Sequence, residues 1–298
     1  MVNRILFFSL ATFWGGSFVV IKYAIAEIPS FTAAFYRVFF ALIFLGCIYF
    51  KHFKGVPNFF DRRVFYSSLA GLCSIGIPFS LLFWGERYIS ASIAGVLNGT
   101  VPFWTLLMGI SLFRNIKSVT RVKILGLILG FIGISVIFGP KVQLQGSIEE
   151  IKGLCALIGM SLFYALGINI NRSILVKETS LSSPVNLIIQ HSISAIFLGI
   201  LAYFVDGVFE WSLLLKPENG LSIFYLSFIS TSLAFIVFFR LIREMGSVEA
   251  SSVTFFVPAV ALILDMITHQ STLTLLESVG TTIIFASMFL LKERKVLS

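Results

Sequence analysis

Charge is scarce in this sequence. Only 12% of the 298 residues are charged, whereas 57% are hydrophobic and the mean hydropathy is +0.98. A soluble domain carries roughly 25% charged residues. A water-soluble fold of this length could not hide so much apolar surface, so the composition points to lipid as the solvent. Long polar stretches are also missing, and no connection between apolar runs is long enough to form a soluble domain. The net charge of +8 could serve nucleic acid or a membrane surface. The basic residues, however, fall in short clusters between apolar runs, which is a pattern of cytoplasmic loops and excludes a nucleic-acid partner as the first reading.

Cysteine is almost absent. Cys47, Cys73 and Cys155 each stand alone in an apolar run. Without a CxxC or Cys/His spacing there is neither a metal site nor a disulfide framework to expect. No phosphate-binding GxxxxGK[ST], HExxH or GxSxG occurs, and the three histidines are scattered at positions 52, 191 and 269. Pumping driven by ATP bound to this chain and membrane-embedded catalysis therefore find no support, and no cofactor or catalytic residue is expected. A channel would want a repeated polar filter or charged rings, and neither is visible.

What the chain does have is a succession of apolar runs near the 20 residues a spanning helix needs. They lie at about 5–26, 31–50, 64–85, 91–113, 121–139, 153–172, 184–206, 221–242, 247–268 and 273–291. The first is too long for the core of a cleavable signal and is expected to span. With the N-terminus placed in the cytoplasm, sixteen of the 22 lysines and arginines fall on the inner side. Only Arg87, Lys141, Lys152 and Lys216 fall outside, while Lys22 and Arg37 lie within spans. That asymmetry predicts both termini cytoplasmic and an even number of spans, consistent with the ten runs, in a bacterial inner membrane.

The two halves resemble each other. Residues 92–102 read SIAGVLNGTVP and residues 248–258 read VEASSVTFFVP, with the shared Val-Pro 156 residues apart. Residues 1–140 and 150–298 thus form two units of five spans. Five is odd, so the second unit enters the membrane from the opposite side. The expected fold is an all-α membrane protein, built as two inverted five-helix repeats around a central cavity, a common plan of secondary carriers.

Polar groups near the midplane are costly in lipid and usually face the bundle interior. The candidates for a small-molecule cavity are Trp14 and Ser17 in the first span, Asn98 and Thr100 in the fourth, and Ser161 and Tyr164 in the sixth. Ser230 and Thr231 in the eighth and Thr254 in the ninth complete the hydroxyls. Pro78, Pro102 and Pro258 each remove a backbone donor in mid-span, and Trp104 adds a ring for stacking. No carboxylate is expected at the midplane, so the ligand is predicted to be neutral, zwitterionic or held by hydroxyl, amide and aromatic groups. His191 is expected to pack as a neutral residue. Lys22, Arg37, Glu86 and Asp265 lie within about two turns of the outer boundary and are candidates for an ionic outer gate. Gly126, Gly130 and Gly133 should let another helix approach closely, within the protein or at a homodimer face.

Several of these segments resemble the drug/metabolite transporter superfamily, specifically its members with two EamA domains. Residues 14–18 (WGGSF) followed by Lys22, and Arg37 opening RVFFAL, match its first two spans. ERYISASIAGVLNGTVPFWTLL in the first half and FISTSLAFIVFFRLIREMGSVEASSVTFFVPAVALIL in the second resemble its paired segments. The family's G-E-x-x-T pattern after the fourth span of each half is missing: the places carry Asn115, and His269 with Gln270. The resemblance implies ten helices around a cavity and transport of amino acids, nucleosides or similar metabolites, S-adenosylmethionine among them, in either direction. A channel-like uniporter is the alternative.

Overall fold

The computed structural model describes residues 2–55, 57–58, 60–114, 120–141, 146–176, 181–208, 210–257, 259 and 274–291. Among them there is no strand. Eight helices are long and apolar enough to cross a membrane: α1 Val2–Glu27, α2 Ser30–Ile48, α3 Arg62–Gly85, α4 Ala91–Ser111, α5 Arg121–Phe138, α6 Ile148–Leu175, α7 Ser183–Val205 and α8 Pro217–Met245. Two shorter apolar helices, α9 Ser247–Val257 and α10 Leu275–Leu291, complete ten. In lipid every backbone group must be satisfied within the segment, so uninterrupted helices are the only local solution for such runs.

Polar residues at the ends of the runs start the helices. Asp61 accepts the backbone N–H of Arg63, Thr120 that of Lys123, and Ser147 forms a reciprocal capping box with Glu150. These side chains take up amide hydrogens that the first helical turn leaves without partners. The bundle has two unlike ends. Among the described residues, 49–52, 60–63, 112–114, 120–123 and 240–246 form one end of the bundle, a basic one that carries Lys51, Arg62, Arg63, Arg114, Arg121, Lys123, Arg240 and Arg243; residues 28–29, 86–90, 139–141, 146–147 and 210–216 form the opposite end.

Four helices are interrupted where the sequence weakens them. A turn at Gly16 divides α1, and one at Gly99–Thr100 precedes Pro102 in α4. In α3 the stretch Leu72–Gly76 widens to π-helical geometry just before Pro78, with Ile77 N–H donating to Leu72 O five residues back. The wide turn absorbs the donor that the proline lacks. In α8 the π-helical stretch is longer, Tyr225–Leu233.

The repeats meet across their equivalent helices. Phe79 and Phe235, 156 residues apart, face each other edge to face at 6.4 Å. Helices α5 and α10 cross where a Cβ on Gly133 would lie 2.8 Å from Gly280 O and one on Gly280 would lie 2.7 Å from Gly133 O. Gly130 meets Phe255, and Gly126 meets Leu290 and Leu291. The small-residue stripe of α5 is thus spent on helices of its own chain.

A second lacing is polar and was not anticipated from sequence. Asn169 in α6 donates to Thr105 O in α4 at 2.9 Å, Gln190 in α7 donates to Asn171 Oδ1 at 2.7 Å, and Ser194 donates to Gly71 O in α3 at 3.0 Å. Such bonds replace the hydrophobic drive that lipid removes between helices.

Candidate functional site

The break at Gly16 and the widened turn of α8 lie side by side. Tyr225 donates its hydroxyl to Phe13 O at 3.0 Å, and a Cβ on Gly16 would lie 2.9 Å from that hydroxyl. A side chain at position 16 would have to displace that hydroxyl. The contact sets Trp14 and Ser17 against Ser230: Trp14 Nε1 donates to Ser230 O at 3.0 Å, and the two serine hydroxyls are 2.5 Å apart.

Arg37 of α2 reaches the same point. Its Nε donates to Thr231 Oγ1 at 2.8 Å, and its Nη2 donates to Ser230 Oγ at 3.2 Å and Ser230 O at 3.4 Å. The guanidinium carbon lies 4.0 Å from the ring centroid of Phe79. Thr231 passes its own hydroxyl hydrogen to Leu226 O at 2.7 Å, which leaves its lone pairs toward Arg37. Arg37 is 2% exposed, and its Nη1 is buried without a hydrogen-bond partner. It forms no ion pair among the described residues. Glu86 is likewise fully buried, with neither carboxylate oxygen hydrogen-bonded.

A cavity of about 40 Å³ opens beside Arg37, lined also by Trp14, Ser17, Asn98, Tyr164 and Thr254, with Phe18, Phe79, Leu82 and Met160 as apolar wall. As it stands in this conformation, the space holds a few water molecules. Asn98 and Thr254 hold equivalent places in the two repeats, so both repeats contribute to one cavity.

The structure brings five of the sequence-derived cavity residues together: Trp14, Ser17, Asn98, Tyr164 and Thr254. Ser230 and Thr231 stand behind Arg37 as its acceptors. Ser161 donates to Leu97 O at 2.9 Å and to Leu157 O at 3.1 Å, joining α6 to the break in α4. Pro78 and Pro102 shape the helices without lining the cavity. Thr100 and Trp104 bond each other at 3.1 Å and face a separate apolar hollow of about 490 Å³ with Phe103, Leu107 and Phe131. Pro258 and Asp265 lie outside the described residues, as do the places of Asn115, His269 and Gln270.

Of the remaining gate candidates, Lys22 directs its ammonium to the backbone oxygen of Glu86 rather than to its carboxylate. Arg37 belongs to the cavity. His191 is buried, its Nδ1 2.8 Å from Leu187 O and its ring edge-on to Phe235, away from the cavity.

Polar contacts across the repeats occur at both ends of the bundle. At the basic end Lys123 of α5 pairs with Glu249 of α9; the two side chains are 8% and 5% exposed. Lys123 is one of the sixteen basic residues that the sequence assigns to the inner side, and the structure buries it. At the same end, but within the second repeat, Arg172 of α6 donates to Ile242 O and Arg243 O, closing the last turn of α8. At the opposite end Glu27 accepts from Lys216 at 2.9 Å and from Asn219 at 2.8 Å, and Asp206 accepts from Thr32 N at 2.7 Å and Thr32 Oγ1 at 3.0 Å.

Ten helices in two like halves, with a polar cavity at their junction, define a multi-pass membrane transporter fold. The model of the EamA-like transporter family matches residues 3–139 and 151–292, and the chain belongs to that family, which lies in the drug/metabolite transporter superfamily. Among its relatives, the uncharacterized transporter YoaV of Bacillus subtilis is 24% identical, with 97% of each chain covered. A probable amino-acid metabolite efflux pump of Salmonella typhimurium is 22% identical over 93% of this chain and 90% of its own. A solved crystal structure shares the fold at a TM-score of 0.76 with 11% identity, covering 97% of this chain and 96% of that one.

Proposed function

We propose that this protein is a secondary carrier that moves small organic metabolites across a bacterial inner membrane by alternating access, its basic end and both termini facing the cytoplasm. The observation that carries the reading is a cavity shared by both repeats, with separate polar contacts between the repeats at each end. One set can part while the other holds, which is what alternating access needs. The small, shared cavity favours a carrier over a channel-like uniporter, and the basic residues gathered at one end support the orientation. The Salmonella relative's name makes amino acids and related metabolites the first solutes to try, ahead of nucleosides and S-adenosylmethionine.

The test is counterflow in proteoliposomes loaded with unlabelled solute. A carrier gives a transient overshoot of labelled solute inside the vesicle and saturates with external concentration. A flux that rises linearly without overshoot would support the channel.

A further inference from the structure

The geometry points to Arg37 as the anchor for a substrate carboxylate, the substrate being a small monocarboxylate with an apolar or aromatic body. This deepens the carrier reading and rests on it.

Burying an unpaired charge costs several kcal/mol, and the cost is recovered only where partners are supplied. The structure supplies partners to two of the three guanidinium nitrogens, through Thr231 and Ser230, and places a ring against the guanidinium plane. Nη1 is left without one, on a side chain that lines the cavity. The guanidinium is therefore held in place with one donor group in reserve. Two N–H bonds remain there, and a carboxylate is the acceptor whose charge and hydrogen-bonding capacity answer them.

The rest of the lining narrows the class. Arg37 is the cavity's one charged residue among the described residues. A monoanion neutralises it. A phosphate ester, with about −1.5 to −2 at neutral pH, would leave excess negative charge beside the single guanidinium of the cavity. A neutral nucleoside could accept a hydrogen bond from Nη1 but would leave the buried charge without a counter-charge. Once the parting of one end has widened the cavity, Phe18, Leu82 and Met160, with the rings of Trp14 and Tyr164, offer an apolar surface for the body of the ligand.

The experiment uses the purified full chain in detergent and in proteoliposomes. Leucine, phenylalanine, tryptophan and their 2-oxo acids are compared with the corresponding amides and with adenosine, by ligand-induced shift of the melting temperature and by counterflow. The inference expects carboxylates to bind and compete, and their amides to be weaker by about 10–100-fold, the range of one hydrogen bond to a charged group. R37Q should lose a similar factor for the acids and little for the amides, with R37K intermediate. The acid–amide comparison on the unaltered protein stands whether or not the variants fold. Binding confined to amides or adenosine, equal binding of acid and amide, or no binding by any member of the panel overturns the inference. Counterflow of an uncharged solute that is indifferent to R37Q would leave the carrier standing without the anchor. Carboxylates that bind through Arg37 yet never show counterflow would leave the anchor without the carrier.

Discussion

Arg37 and Thr231 lie 194 residues apart in the sequence and 2.8 Å apart in the structure, guanidinium Nε to hydroxyl Oγ1. The bond joins α2 of the first repeat to the widened turn of α8 in the second, directly behind the cavity. Thr231→Val keeps the shape of the side chain and removes the oxygen. Loss of one buried bond to a charged group should destabilise the fold by about 1.5–3 kcal/mol and free the guanidinium to turn, lowering transport as well. Chemical unfolding in detergent beside an uptake assay checks both; an unchanged variant would mean that the bond does not position Arg37.

The buried pair Lys123–Glu249 makes a sharper claim. Removing either partner breaks the buried pair, so Lys123→Ala or Glu249→Ala should each destabilise the fold, by up to about 3–5 kcal/mol. Removing both together should cost less than the two separate losses added. A double-mutant cycle on unfolding free energy measures the coupling. Additive losses would show that the two charges are solvated separately.

Close packing of α5 on α10 predicts opposite outcomes at two glycines. Gly133→Ala would push a methyl into Gly280 O and Ile284, and should cost about 1–3 kcal/mol. Gly95 lies in helical backbone with no atom within 4 Å of an added Cβ, so Gly95→Ala should stabilise by about 0.5–1 kcal/mol. Melting temperatures of the two variants moving in the same direction would contradict the packing.

The spans and the two-fold repeat were legible in the sequence because lipid leaves a chain few options. Each crossing must be a helix of nearly fixed length, and an odd number per repeat forces the inversion. Depth along a helix was equally legible, and it placed Trp14, Ser17, Asn98, Tyr164 and Thr254 at one level. Rotation about the helix axis was not. Asn98 and Thr100 are two residues apart, and at about 100° per residue they face nearly opposite ways, so Asn98 meets the cavity while Thr100 and Trp104 turn to the apolar hollow. Arg37 lies nearer one end by its backbone, and its long side chain carries the charge into the cavity. Lys123 stands in the first turn of α5, where sequence alone does not tell a buried lysine from a solvated one. Its partner Glu249 is 126 residues away, and no local pattern pairs them.

The start of α3 gives a pH dependence. Side-chain and backbone hydrogen bonds from Arg63 hold the Asp61 carboxyl below its ordinary value of 3.8. A carboxyl lowered by folding contributes stability above its unfolded pKa, and the contribution is lost as pH falls through the lowered folded value. Asp61→Asn should therefore melt below the unaltered protein at pH 7, and the gap should shrink below about pH 4. Melting curves recorded from pH 7 to pH 3 decide this; a gap that stays constant would assign the effect to capping geometry alone.

The central claim is that one cavity, walled by both repeats, opens in turn to each face of the membrane. The direct measurement is thiol labelling of Asn98→Cys in oriented vesicles, with Cys47, Cys73 and Cys155 replaced, using a membrane-impermeant reagent applied to either side. The account predicts labelling from both sides, and protection from both by a transported solute. Labelling from one side alone, with no change when solute is present, would contradict it.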